Sequence, residues 1–288
     1  MLGSATFTTV PSRNTVPDPM TVATRVQRWR RVTIRVWQND ISASPQGAAR
    51  LSPMPGPVAL IGAGEFLPAM AAFDADLLAS TGRSRPRVAI LPTASYPDGD
   101  DVFNRWASMG VAHFASLGAE VEPVLVTDRA SADDPAFAQA VGEADVVYLS
   151  GGKPAYLLAA LAGSAVGRAM AEAHDRGAIL AGCSAGAMVL AGHSFDFRVK
   201  VMPWPLRWGS GLGFAPRMAV VPHYDAWPEP FSALIALQAP RDSVVIGVDE
   251  ETAVVGRDGA WQVHGSARVT VWRGRRRERF RDGEVFRI

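Results

Sequence analysis

A chain of 288 residues with 48% hydrophobic and 20% charged side chains is long and apolar enough to build a full globular core. Its 29 basic and 28 acidic residues leave a formal charge of +1, so no overall field favours nucleic acid or an anionic membrane. The single cysteine, Cys183, excludes an internal disulfide and a zinc site built from thiolates. No apolar run approaches the roughly 20 residues of a membrane helix, and the first residues lack the apolar core of a secretory signal. A cytoplasmic setting is expected, with no metal, cofactor, membrane or nucleic-acid partner.

Residues 1–53 are rich in Thr, Ser, Pro and Arg and poor in periodicity. Val26–Trp37 is the exception, with Arg28, Arg30, Arg31 and Arg35 among Val32, Ile34 and Trp37. Two readings apply: a basic arm for nucleic acid, or a poorly ordered extension translated from a start upstream of Met54. The second is expected, because Met54 stands directly before the first good strand. Residues 54–288 are then expected to form one α/β domain.

From Pro55 onward strands alternate with helices. Val58–Ile61 reads as a buried strand ending in Gly62-Ala63-Gly64. Met70, Phe73, Leu77 and Leu78 share a helical face. Arg87–Leu91 is a strand, Asp101–Leu117 a helix stopped by Gly118, and Val121–Val126 a strand. Pro135–Val141 is a short helix, and Val146–Leu149 a strand running into Ser150-Gly151-Gly152. Two helices, Pro154–Leu161 and Ala165–His174, precede the strand Ala178–Ala181. Such repeats predict a mostly parallel, doubly wound sheet with helices on both faces and its site at the carboxyl ends of the strands. Strands from about Ser243 onward read as antiparallel trim.

Gly182-Cys183-Ser184-Ala185-Gly186 is a G-x-S-x-G pattern between an apolar strand and a helix-forming run. Small neighbours let Ser184 sit on a sharp turn, with its hydroxyl at a helix N-terminus where backbone N–H groups are free. The N–H of Ala185 can then donate to a developing oxyanion. The alternative is a helix start capped by Ser184. A serine nucleophile needs a base. Among the five histidines, His223 follows the apolar strand Met218–Val221 and lies downstream of the elbow. His113 and His174 read as surface residues, and His193 as the far end of the elbow helix.

Val147-Tyr148-Leu149-Ser150-Gly151-Gly152, Gly182–Ala187 and Pro222-His223-Tyr224 together resemble the peptidase S51 family, which is dipeptidase E- and cyanophycinase-like. That family belongs to the class I glutamine amidotransferase-like superfamily. Ile246–Ala253 resembles a further block of cyanophycinase-like members. The resemblance runs from about Pro55 to about Gly265. It implies a serine hydrolase cleaving an amide in a short peptide, with Ser184 as nucleophile, His223 as base, and Gly152 joining Ala185 in the oxyanion hole. It also implies an acid between serine and histidine, which makes Asp196 the first candidate. Asp225 is the second, by analogy with related amidotransferases, and Glu250 the third. Lys153 departs from the family's usual Asn or Asp. Arg198, Lys200, Arg207 and Lys153 are candidates to meet substrate carboxylates, and Trp204, Trp208 and Trp227 to line a cleft; core cover is the other reading. A homodimer is compatible with the pattern. The competing function is an inactive binding or regulatory domain of the same fold, recognisable by the lack of an acid at the imidazole of His223.

Overall fold

The computed structural model describes residues 54–196 and 206–288. The N-terminal extension at 1–53, with its basic run at 26–37, and Arg198, Lys200 and Trp204, lie outside the described residues.

The first sheet begins with β1 (Val58–Ile61), all four residues buried. Val58 and Leu60 enter one core layer while Ala59 and Ile61 enter another. This is what a period-2 strand covered on both faces must do. The chain continues through α1 (Ala71–Ser80), β2 (Arg87–Leu91), α2 (Asp100–Ser116), β3 (Glu120–Pro123), α3 (Pro135–Gly142), β4 (Val146–Leu149), α4 (Pro154–Leu161), α5 (Ala165–Asp175), β5 (Ile179–Cys183) and α6 (Ala185–Leu190). The helices start where local chemistry lets them. Asp134 caps α3 by accepting from the N–H of Ala136, with Pro135 at the first helical position. Ser164 caps α5 by accepting from the N–H of Gly167.

Elements from β6 onward complete two sheets. They are β6 (Ala191–Asp196), β7 (Arg207–Ser210), β8 (Ala215–Val221), α7 (Glu229–Gln238), β9 (Val244–Val248), β10 (Thr252–Arg257), β11 (Ala260–Gly265), β12 (Val269–Arg273), β13 (Arg276–Phe280) and β14 (Val285–Arg287). One sheet has the order β14-β11-β10-β1-β5-β4-β2-β3, and the other β13-β12-β9-β8-β6-β7. In the first, β1 through β5 are parallel and β10, β11 and β14 antiparallel. The α/β fold class thus stands as the sequence predicts. The C-terminal strands are divided more finely than a simple trim: β9 pairs in parallel with β8 in the second sheet.

Three further expectations change. The elbow helix ends at Leu190, so His193 lies on β6 between β7 and β8. His174 is buried against Phe214 rather than on the surface. His113 is partly covered and bonded to the buried Asp74 at 2.8 Å.

Registers fix where the site falls. Ile61 is paired with Cys183, and Leu149 with Gly182, so the turns after β1, β4 and β5 emerge side by side. In the second sheet Val221 is paired with Gly247, so the residues after β8 and β9 emerge together as well. The β9–β10 connection crosses between sheets: Glu251 N–H donates to Ala63 O at 3.2 Å, and Gly62 N–H to Thr252 O at 2.9 Å.

Burial holds the imidazoles of His174 and His264 below their ordinary value of 6.5. The unfolded chain therefore takes up protons at a pH where the folded chain does not. Their contribution is complete above about pH 6.5 and is lost as pH falls towards the folded values. The melting temperature is expected to drop between pH 7.5 and pH 5, and a His174→Gln/His264→Gln chain to show a flatter profile by thermal unfolding.

Candidate active site

Strand β5 ends at Cys183 and α6 begins at Ala185, leaving Ser184 alone at the junction. Its φ of 49° and ψ of −107° are unfavourable for a residue with a side chain. Two bonds hold it there: its N–H donates to Ile61 O at 2.9 Å, and its carbonyl accepts from Met188 N–H at 3.1 Å. The flanking glycines are required by close approach. A Cβ on Gly182 would lie 2.5 Å from the carbonyl carbon of Gly186, and one on Gly186 would lie 2.2 Å from Leu149 O.

The hydroxyl of Ser184 lies 3.0 Å from His223 Nε2. His223 follows β8 and Pro222 with left-handed φ and ψ of 49° and 40°. Its other ring nitrogen, Nδ1, lies 2.8 Å from Glu250 Oε1. The Glu250 loop is anchored on both sides. Glu250 N–H donates to Asp225 Oδ1 at 3.0 Å. The neighbouring Asp249 is buried and accepts from Arg268 N–H at 3.2 Å. Burial raises the Asp249 carboxyl, Asp225 raises it further, and Arg268 opposes both.

Ser184 and His223 are therefore brought together, and the acid at the imidazole is Glu250 rather than Asp196. Asp196 ends β6 opposite Arg207 of β7. Asp225 bonds the backbone of Glu250 rather than the ring. The physical reason is register: with Val221 beside Gly247, residues just past the two strands become neighbours despite their separation in sequence. The signal in the sequence is the acid pair Asp249-Glu250 just past the apolar strand Val244–Val248, and it is the second of the two that reaches the ring.

Gly152 lies in the turn beside the elbow, where a Cβ would meet Ala94 O at 2.3 Å. The next residue, Lys153, donates its N–H to that same carbonyl at 2.7 Å. Ala185 is the first residue of α6, where no intrahelical carbonyl reaches its N–H. The Lys153 ammonium pairs with Asp98 at 3.1 Å, both well exposed, a contact of little energetic weight. Trp208 packs on Phe195 and Trp227 stacks on Phe231, each at 5.0 Å, in the third apolar cluster. They cover core between α7 and the second sheet. Among the described residues no group of three or more His, Cys, Asp or Glu side chains is arranged to hold a metal.

The parallel sheet, the strained serine between strand and helix, and the histidine after a second sheet's strand define an α/β protein of the class I glutamine amidotransferase-like fold. A sequence model of peptidase family S51 matches residues 58–264, and the chain belongs to that family. A cyanophycinase of Trichormus variabilis is 29% identical over 197 residues, which cover 66% of this chain. The match spans 64% of that relative's length. The crystal structure of a peptidase from an acI-B1 actinobacterium is 32% identical, with a TM-score of 0.74 over 82% of this chain and 98% of that one. A Listeria monocytogenes EGD-e protein shares the fold at 16% identity, with a TM-score of 0.52 over 74% of this chain and 100% of its own.

The elbow geometry leads to a stability test. Gly186→Ala places a methyl against the Leu149 carbonyl, and overpacking of this kind costs about 1–3 kcal/mol. Urea denaturation is expected to show a lower midpoint with an unchanged slope.

Proposed function

We propose that the chain is a serine peptidase acting on short peptides, with Ser184 as nucleophile, His223 as general base and Glu250 as the acid that orients the imidazole. The observation that carries this reading is the continuous relay from Ser184 Oγ through His223 to Glu250, at 3.0 and 2.8 Å. Serine alone is a weak nucleophile at neutral pH, and a hydrogen-bonded imidazole is what activates it.

In the first half-reaction Nε2 of His223 accepts the Ser184 proton as Oγ attacks the amide carbonyl. The carbonyl oxygen takes up the negative charge and is met by the N–H groups of Gly152 and Ala185. The tetrahedral species collapses as the imidazolium returns its proton to the departing amine, leaving an acyl ester on Ser184. Water repeats the sequence, losing its proton to Nε2 and releasing the carboxylic acid and free Ser184. Glu250 stays ionised throughout and holds the Nδ1–H tautomer that leaves Nε2 free to accept. The competing reading, a binding domain with an incomplete triad, called for no acid at the imidazole; the Glu250 contact favours the enzyme.

The test is labelling with a fluorophosphonate probe and mass mapping of the modified residue. Ser184 is expected to carry the label, and Ser184→Ala none, with its fold retained. Glu250→Gln is expected to lower turnover by about 10²–10⁴-fold, as loss of the orienting acid does elsewhere. Asp196→Asn and Asp225→Asn should each cost less, and a larger loss in Asp196→Asn would reassign the acid. For substrate, dipeptides with and without N-terminal Asp, together with cyanophycin, should be assayed side by side. Preferential cleavage of the Asp peptides supports the acidic-substrate expectation, and equal cleavage removes it.

A further inference from the structure

One buried carboxylate has no part in the chemistry above. Glu65 follows the glycine turn after β1 and is only 7% exposed. Its Oε1 accepts the N–H of Gly151 at 2.8 Å. Its Oε2 accepts the Sγ–H of Cys183 at 2.7 Å. These two donors stand on either side of the proposed reacting centre: Cys183 immediately precedes Ser184, and Gly151 immediately precedes Gly152. A carboxylate is costly to bury, and short bonds from two donors are what make this placement tenable.

The packing around it is equally restrictive. A Cβ on Gly151 would lie 2.7 Å from Glu65 Oε1 and 3.4 Å from Ser184 Cβ. Only glycine lets the carboxylate and the serine approach that turn from both directions. The bonding also sorts the backbone donors. Gly151 N–H is taken by Glu65 and Ser184 N–H by Ile61 O, so Gly152 and Ala185 are the amides next in line on each side. Cys183, fully buried and beside this carboxylate, is held as a thiol well above its ordinary range, which keeps its proton available to donate.

We propose that Glu65 is a positioning residue: its carboxylate clamps the Gly151-Gly152 turn to the end of β5 at Cys183 and so fixes the spacing between Ser184 and the N–H of Gly152. This assignment rests on the reading of Ser184 as nucleophile. Oxyanion donors act only at hydrogen-bonding distance from the charge that develops, so a turn free to drift forfeits much of their effect. Cys183 serves as the clamp's second donor, which gives the chain's one cysteine a structural function rather than a nucleophilic one. A glutamine at position 65 offers one oxygen to two donors and turns its NH2 towards the other, so it satisfies only half of the clamp.

Two measurements on the full chain test this. The chain has one cysteine, so its S–H stretching band in the Raman spectrum reports Cys183 alone. The band is expected at low frequency in the wild type, higher in Glu65→Gln and higher again in Glu65→Ala. The second measurement is the rate of fluorophosphonate labelling at Ser184. Glu65→Gln is expected to lose about 10–100-fold, part of what losing an oxyanion donor outright costs, with its melting temperature retained. Cys183→Ser keeps an O–H donor and should label within about threefold of wild type, whereas Cys183→Ala should fall well below it. A folded Glu65→Gln chain that labels at the wild-type rate overturns the proposal, as does an S–H band indifferent to residue 65. If the wild type takes no label at Ser184, the nucleophile assignment falls instead, and the clamp is judged on the S–H band.

Discussion

The backbone of Ser184, at φ 49° and ψ −107°, is the constraint around which the neighbouring structure is organised. A residue with a side chain in such a conformation costs about 1–3 kcal/mol and persists only where its surroundings over-determine it. Here they do. The N–H is tied to β1, the carbonyl starts α6, and both flanking glycines lie against carbonyl groups that exclude any side chain. The strands that supply these contacts are buried on both faces, so relaxing the serine would disturb two core layers at once.

The site is also a junction between sheets. Helix α6 carries the chain from β5 in the first sheet to β6 in the second, and the loop from β9 to β10 brings it back. Ser184 belongs to the outward crossing and Glu250 to the return. His223 lies between them at the end of β8. The relative placement of two sheets thus becomes the distance between a hydroxyl, an imidazole and a carboxylate, and rigid packing at the sheet interface sets that distance better than loops could.

Much of this was legible in the sequence, for reasons specific to particular residues. The strands β1, β2 and β4 are short apolar runs bounded by glycine, proline or charge, and each is found where that pattern puts it, whereas β5 runs past Ala181 to Cys183. The elbow was readable because its glycines answer a local steric demand. His223 was readable because it follows an apolar strand. The Glu250 contact was not, since it depends on β8 and β9 lying in parallel register, which no local pattern encodes. Asp196 was favoured by its order along the chain, and chain order carries no information about that pairing. Strand β13 carries Arg276-Arg277-Glu278-Arg279 and stands at the edge of its sheet, where charge discourages further strand addition. Glu65 was invisible as well: its partners, Gly151 in the turn after β4 and Cys183 at the end of β5, are far from it in sequence.

The return crossing has a consequence for the chain during its synthesis. Ser184 and its glycines leave the ribosome well before β8, and β8 before the β9–β10 loop. A nascent or prematurely ended chain therefore carries the serine without the imidazole and carboxylate that lie beside it in the finished fold. An isolated serine hydroxyl attacks amides poorly. The Ser184–His223–Glu250 arrangement can therefore form only once the chain has been extended past Glu250.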